Sequence, residues 1–433
     1  MSICRRIGLT AITALVAALS MFTSVAASTT SVPGTQPSRG RVFGAIQGPR
    51  GTALVLQPGK AGITVARYLA DGSLDRSFGR GGIAFDPRSN IYLEGHLAAG
   101  PEGTIVASSS ESVTRFTEDG RIDRSYADRG EIARVVTGND IGLATNVVLG
   151  NGAMIVAGPN FDPNRDQGII ATRYRPDGRI ERRYGTDGHA FAPLWNDYYE
   201  PVTALATQGR KLLVLSPGEE DGQFFLTRLT AAGTVDRGFG KEGLVGAYGI
   251  RGRPVSMVRQ SDGSIVVATS GNQFLRFGPD GTRDRSFGPR GKVTGPAPFT
   301  TLHSLVEAPD GDLIAAGSAA YGGGESPNRA SSLVVERLDP AGAVDMDFGA
   351  GDGYVITSLG PELNAGVRDA MVMPGGRLFL AGQVADPKDE TFGAKIVLAG
   401  LEPDGSPASG FGREGVVITD TVSTIGGRRG SRR

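Results

Sequence analysis

One short phrase returns seven times along this chain, and no other feature restricts the fold as tightly. It opens with Arg and an apolar residue, passes through an Asp-Gly turn, and then sets an acid, an aromatic residue and further glycines at fixed offsets. Its first copy is Arg67-Tyr68, Asp71-Gly72, Asp75, Phe78-Gly79 and Gly82; its second is Arg115-Phe116, Asp119-Gly120, Asp123, Tyr126 and Gly130. It recurs from Arg173, Arg228, Arg276 and Arg337 and, degenerately, from Gly400. The turn glycines Gly72, Gly120, Gly178, Gly233, Gly281, Gly342 and Gly405 are 48, 58, 55, 48, 61 and 63 residues apart. Units of that length with elastic spacing mark a propeller, solenoid or array, because each unit buries its apolar face only against a neighbour.

Within a unit the apolar runs are short, β-branched and bounded by Gly, Pro, Asn or Asp, which is a strand pattern. The second unit predicts strands A to D over 95–99, 104–108, 112–117 and 131–135, and the fifth over 255–259, 264–268, 273–277 and 292–294. The first unit supplies its own strand A near 42–46 and the last its own strand D near 416–419. Four antiparallel strands per unit predict an all-β, seven-bladed β-propeller in one domain. Packing of the first blade on the seventh closes the ring on this phasing; exchange of a terminal strand is the alternative.

The Asp-Gly-x-x-Asp-x-x-Phe-Gly-x-x-Gly pattern, preceded by a hairpin turn such as Pro309-Asp310-Gly311, resembles the delta-60 repeat of secreted bacterial β-propellers. The resemblance covers residues 41–420. It implies the fold and is nearly silent on activity.

The ends read differently. Arg5-Arg6, the apolar run from Ile7 to Val25 and the small residues Val25-Ala26-Ala27 make 1–27 a secretory signal peptide, with a twin-arginine route or a retained anchor as alternatives. Residues 28–40 read as a disordered linker and 421–433 as a disordered basic tail. Cys4 falls within the signal segment, so the exported protein lacks thiols. The expected location is secreted or envelope-associated, with no membrane insertion after cleavage. Lys+Arg and Asp+Glu both number 45, which gives no electrostatic reason to expect nucleic acid.

A residue type repeated in every unit serves the unit more readily than a ligand. The series Phe78, Tyr126, Tyr184, Phe239, Phe287, Phe348 and Phe411 is expected to fill the wedges between blades. The glycine after each ring, replaced only by Ala127, is expected to need an unusual backbone angle or a close approach. Arg67/Asp75, Arg115/Asp123, Arg173/Glu181, Arg228/Asp236, Arg276/Asp284 and Arg337/Asp345 keep both partners, whereas the seventh unit has Gly400 and Ala408. Joint loss predicts an ion pair within the unit, since removing one member alone strands a charge. The first acid of Asp-Gly-x-x-Asp is expected to cap its own turn; two carboxylates supply too few oxygens for calcium.

Catalytic motifs are absent: no G-x-S-x-G, H-E-x-x-H or P-loop. No cofactor or metal is expected. The function read from the chain is a non-catalytic binding or scaffold module, a monomer meeting an extracellular glycan, peptide or protein. Its partner face should carry the unequal B–C connections at 160–167, 321–329 and 385–392 and the D–A connection at 193–201. Trp195, Asp197, Tyr198 and Tyr199 in the last are the expected ligand-binding residues, because rings stack while amides and carboxylates orient. The alternative is a hydrolase or lyase at the mouth of the central channel, using His96, His303 and Asp369 at the start of strand A.

Overall fold

The computed structural model describes residues 42–59, 62–88, 95–109, 112–133, 145–160, 168–193, 202–320, 331–360, 363–385 and 395–419. The segments read from sequence as signal, linker and tail lie outside these residues, as do Trp195, Asp197, Tyr198 and Tyr199 and nearly all of the three long B–C connections. The described residues form 28 strands and four single-turn 3-10 segments, with no α-helix.

The strands fall into consecutive groups of four, each an antiparallel A-B-C-D meander. Five groups are separate four-stranded sheets; the sixth and seventh join into one eight-stranded sheet through a single parallel bridge, Ser331 to Asn364. The second group is Gly95–Ala99, Ile105–Ser109, Ser112–Phe116 and Glu131–Ala133, and the fifth is Pro254–Arg259, Ile265–Thr269, Gln273–Phe277 and Lys292–Thr294. Each lies within two residues of the positions expected from the alternation of apolar runs and turn residues. The chain opens on strand A at Gly44–Gln47 and closes on strand D at Val416–Thr419.

Because side chains alternate across a strand, each sheet offers one apolar face to the preceding group and one to the following. Leu54, Leu56, Ile63 and Val65 pack on Leu97, Ile105 and Phe116 of the second group, while Ala53, Val55 and Ala66 pack on Phe379, Ile396 and Leu398 of the seventh. The buried clusters follow this order through the molecule, straddling groups two and three, three and four, four and five, five and six, and six and seven. The A strands touch in the same order, and Asn364–Val372 of the seventh group touches Gly44–Gln47 of the first.

The repeated phrase is the fastener between groups. All six Arg–acid pairs form: Arg67–Asp75 at 2.7 Å, Arg115–Asp123 at 2.8 Å, Arg173–Glu181 at 2.9 Å, Arg228–Asp236 at 2.7 Å, Arg276–Asp284 at 2.6 Å and Arg337–Asp345 at 3.0 Å. Five of these guanidinium groups also lie over the aromatic ring of their own unit, from 4.1 Å for Arg115 over Tyr126 to 5.7 Å for Arg173 over Tyr184. The reach into the next group was not legible in the spacing. Arg67 donates to Glu118 O at 2.8 Å, Arg115 to Pro176 O at 2.8 Å, Arg228 to Pro279 O at 2.5 Å and Arg337 to Pro403 O at 2.9 Å.

The aromatic residues and glycines complete the joint. A Cβ on Gly120 would lie 2.8 Å from the Phe78 ring, one on Gly342 2.7 Å from Phe287, and one on Gly72 2.8 Å from Phe411. The turn glycine is therefore kept bare by the ring of the preceding unit. The residue after each ring sits in the left-handed region, from Ala127 at φ 45 to Gly349 at φ 68. In every unit but the fifth, where Gly288 N turns back to Ser286 O, its N–H donates to the next turn, as in Gly79 to Asp119 O at 2.7 Å and Gly240 to Asp280 O at 2.7 Å. The same bond runs from Gly412 of the last unit to Asp71 O of the first, at 3.2 Å. The first acid caps its turn as expected: Asp71 accepts from Ser73 N at 2.8 Å and Asp404 from Ser406 N at 2.9 Å.

The seventh unit shows why its Arg is missing. Gly400 lies opposite Phe379 of strand B, where Arg67 lies opposite Leu54 in the first unit. Phe379 and Phe411 meet edge to face at 5.3 Å, and a Cβ on Gly400 would come within 2.6 Å of the Phe411 ring. Two rings have taken the volume an Arg stem occupies elsewhere, and Arg377–Glu402 at 2.8 Å supplies an ion pair at a neighbouring position.

Candidate functional site

The three residues of the catalytic alternative sit on A strands, but not at one level. His96, Ser256, Ser304 and Asp369 are equivalent, lying opposite Ser108, Ala268, Ala316 and Ala381 of their B strands. His303 and Arg368 are the extra residues of β-bulges, where the register slips between Leu302 and Ser304 and between Val367 and Asp369. Counting back from the hairpin glycine reaches His96 from Gly103, Ser304 from Gly311 and Asp369 from Gly376 at one equal offset, so His303 lies one position beyond the shared level, on the bulge itself.

The level shared by Ser256, Ser304 and Asp369 is a polar seam. Ser256 Oγ donates to Leu305 O at 3.3 Å, Ser304 Oγ accepts from Ala370 N at 3.2 Å, and Asp369 Oδ2 accepts from Ala45 N at 2.8 Å. Each side chain reaches the backbone of the following group, and Asp369 joins the last group to the first. Burial pushes the Asp369 carboxyl up to about 7, against the Ala45 N–H, the Arg368 charge and the Ser304 hydroxyl, which favour its ionised form. His96 is buried, and its Nε2 meets no hydrogen-bond partner among the described residues. Desolvation first and the Arg368 charge second hold His96 down to about 3 and His303 to about 4. Both imidazoles are thus neutral at ordinary pH and linked to Arg368 through its field. No group of three or more His, Cys, Asp or Glu among the described residues is placed to hold a metal.

The third histidine, His189, is held by Thr172, with Nδ1 2.9 Å from Oγ1. It lines an open groove of about 860 Å³ between the third and fourth groups with Thr186, Asp187, Thr234 and Arg237. A second hollow of about 600 Å³ is lined by Asp312, Asp339, Asp345, Asp347 and Asp404. Its one cation, Arg337, is engaged by Asp310, Asp312 and Asp345 at 2.7, 2.7 and 3.0 Å.

The face of B–C and D–A connections offers other material. The connection bearing Trp195, Asp197, Tyr198 and Tyr199 leaves strand D at Pro193 and returns to strand A at Ala204. The next two D–A connections carry Tyr248, 64% exposed and edge to face with Phe225, and Phe299, 65% exposed. Phe299 has φ 51, a conformation that is rare for a bulky residue and costs on the order of 1 kcal/mol. Sequence reading missed both. They are aromatic residues out of phase with the repeat, beside Gly249 and Pro298, and that offset was the available signal.

Comparison with known proteins agrees with this architecture. Residues 59–78 and 260–287 match the model of a domain of unknown function, DUF5122, described as a β-propeller; both segments end on a repeat ring, Phe78 or Phe287. A search of curated proteins finds no match. Among solved structures the chain is similar to Chaetomium thermophilum Raptor, at 12% identity and a TM-score of 0.50, over 88% of this chain and 29% of that one. Weaker likenesses are to the WD40 β-propeller domain of Doa1, at 9% identity and 0.43 over 86% and 99% of the two chains, and to a glucose dehydrogenase, at 15% and 0.40 over 69% and 94%. At these identities the likeness concerns fold alone. The chain is an all-β protein of the β-propeller class.

Proposed function

We propose that this chain is an exported, closed seven-bladed propeller of the delta-60 type that binds or scaffolds a glycan, peptide or protein partner on the face of its B–C and D–A connections, without catalysis. Closure is supported by the cyclic order of A-strand contacts, by the Gly412–Asp71 bond and by the cluster shared between the first and last groups. One observation carries the functional reading. The repeated Arg, acid, ring and glycine positions are spent on joining units, while exposed aromatic residues outside the repeat, Tyr248 and Phe299, sit on consecutive D–A connections. Exposed rings beside polar groups are suited to sugar stacking or to anchoring a protein partner.

The test is to challenge the secreted protein with glycans, wall fragments and exported proteins in parallel with Trp195→Ala, Tyr248→Ala and Phe299→Ala. Binding that survives all three changes would remove this face as the site. Hydrolase or lyase chemistry at His96, His303 and Asp369 is favoured only by the field of Arg368 on all three. Turnover abolished by Asp369→Asn in a folded protein would establish it instead.

A further inference from the structure

Glu336 is a fully buried carboxyl on strand C of the sixth group, Ser331–Leu338, and it clasps the connection arriving from the fifth. Its Oε2 accepts from Ala297 N at 3.2 Å and from Asn272 Nδ2 at 3.2 Å; that amide also donates to Ala297 O at 3.1 Å. Gly295 N donates to Asn272 O at 3.1 Å. Two buried oxygens remain without a donor among the described residues, Glu336 Oε1 and Asn272 Oδ1. Both crowd the position that a Cβ on Gly295 would take, so they converge on one point.

Turning the Asn272 amide over would offer Glu336 Oε1 a donor only by giving up both bonds that the amide now donates. It would aim Oδ1 at Glu336 Oε2 and Ala297 O, replacing two donated bonds by two repulsions. The point of convergence lies a single bond length from the Gly295 Cα, which leaves no room there for a coordinated cation. A proton on Glu336 Oε1, donated to Asn272 Oδ1, satisfies both oxygens at once.

We propose that Glu336 is carried as a neutral carboxylic acid whose O–H bonds to Asn272 Oδ1, and that its ionisation loosens the connection 295–299 that presents Phe299. Desolvation, opposed by the Ala297 N–H and the Asn272 amide, pushes this carboxyl up to about 7, so the change falls near neutrality. No charged side chain among the described residues acts on it. Across the sheet it faces Ala315 and Tyr354, and from the fifth group Asn272 and Ala297; of these described neighbours Tyr354 alone is titratable. The acid's folded pKa lies above its unfolded one, so its stabilisation is complete at low pH and is lost as pH rises through about 7. The clasp stands on geometry alone; its bearing on binding rests on the function proposed above.

Two measurements separate these parts. Carbon-13 NMR of the wild-type side-chain carboxyls, with Glu336 assigned by its loss in Glu336→Gln, should show this group protonated at about pH 5.5 and titrating near neutrality. An ionised signal at that pH would overturn the proposal, a bridging water then holding the two oxygens. From about pH 5 to pH 8 the unfolding equilibrium should rise roughly 70-fold more in the wild type than in Glu336→Gln, which keeps a donor for Asn272. Equal pH dependence in the two proteins would also overturn it. The protection of the Ala297 amide, taken relative to the intrinsic rise of exchange with pH, should fall over the same range in the wild type alone. Loss of the binding-face function with the clasp intact would defeat only the proposed function.

Discussion

Restoring the missing pair in the seventh unit, Gly400→Arg with Ala408→Asp, should destabilise the protein, although six other units carry that pair. The Arg stem must enter volume that Phe379 and Phe411 now fill, with the first added carbon 2.6 Å from a ring. Overpacking of this kind costs about 1–3 kcal/mol, more than the roughly 0–1 kcal/mol a partly exposed pair returns. The expected net loss is therefore about 1–2 kcal/mol. Adding Phe379→Leu, which reproduces the Leu54 environment of the first unit, should reverse the sign of the Arg effect. Equilibrium denaturation of the wild type, Phe379→Leu, the double variant and the triple variant forms a cycle whose coupling should exceed about 1 kcal/mol, since the residues touch. A restored pair that is neutral or stabilising with Phe379 in place, or a coupling near zero, would refute the packing argument.

Other outcomes follow from the same joints. Asp236→Ala strands the nearly buried Arg228 and should cost about 2–4 kcal/mol by denaturant titration, with Asp236→Asn recovering part through its hydrogen bonds. Gly72→Ala forces a methyl group against the Phe411 ring from a left-handed backbone, so it should cost about 1–3 kcal/mol and raise amide exchange at Gly412. Asp236 is held below the usual carboxylate range by its hydrogen bond from Lys211, against desolvation, and by the Arg228 charge; its stabilisation is present above the unfolded pKa and lost as pH falls through the lower folded value. Glu336 and Asp369 are shifted the other way, so a stability profile against pH should fall on both sides of a mildly acidic maximum. Asp369→Asn should flatten the alkaline limb while keeping the Ala45 amide protected from exchange; Asp369→Ala should expose it.

The fold was legible because its joint is written into the repeat. The Arg–acid offset of eight, the ring and the glycine after it are local in sequence, and local spacing can be read. What each reaches was not local: the carbonyl that receives Arg115 belongs to Pro176, 61 residues on. The β-bulges at His303 and Arg368 escaped because one inserted residue leaves composition unchanged and inverts the alternation only over the few strand residues before it. Phe379 opposite Gly400 could have been found by asking which large residue accompanies the lost pair. The site was barely legible because partner contacts fall where the repeat fails, and a single ring such as Phe299 has no second copy to reveal its phase. Glu336 stood next to a repeated Arg and was passed over as its neighbour.

The joint also has a direction. A unit's Arg and ring point forward, as does the glycine after the ring in most units, and what they grip is the glycine turn of the unit ahead, which makes no reciprocal hydrogen bond to the one behind among the described residues. The assembly overlaps like roof tiles laid in one sense. A lesion in the turn Asp177-Gly178 should therefore loosen Arg115, Tyr126 and Ala127 upstream while leaving the clamp of Arg173 intact, so that damage travels from unit to unit against the direction of the chain.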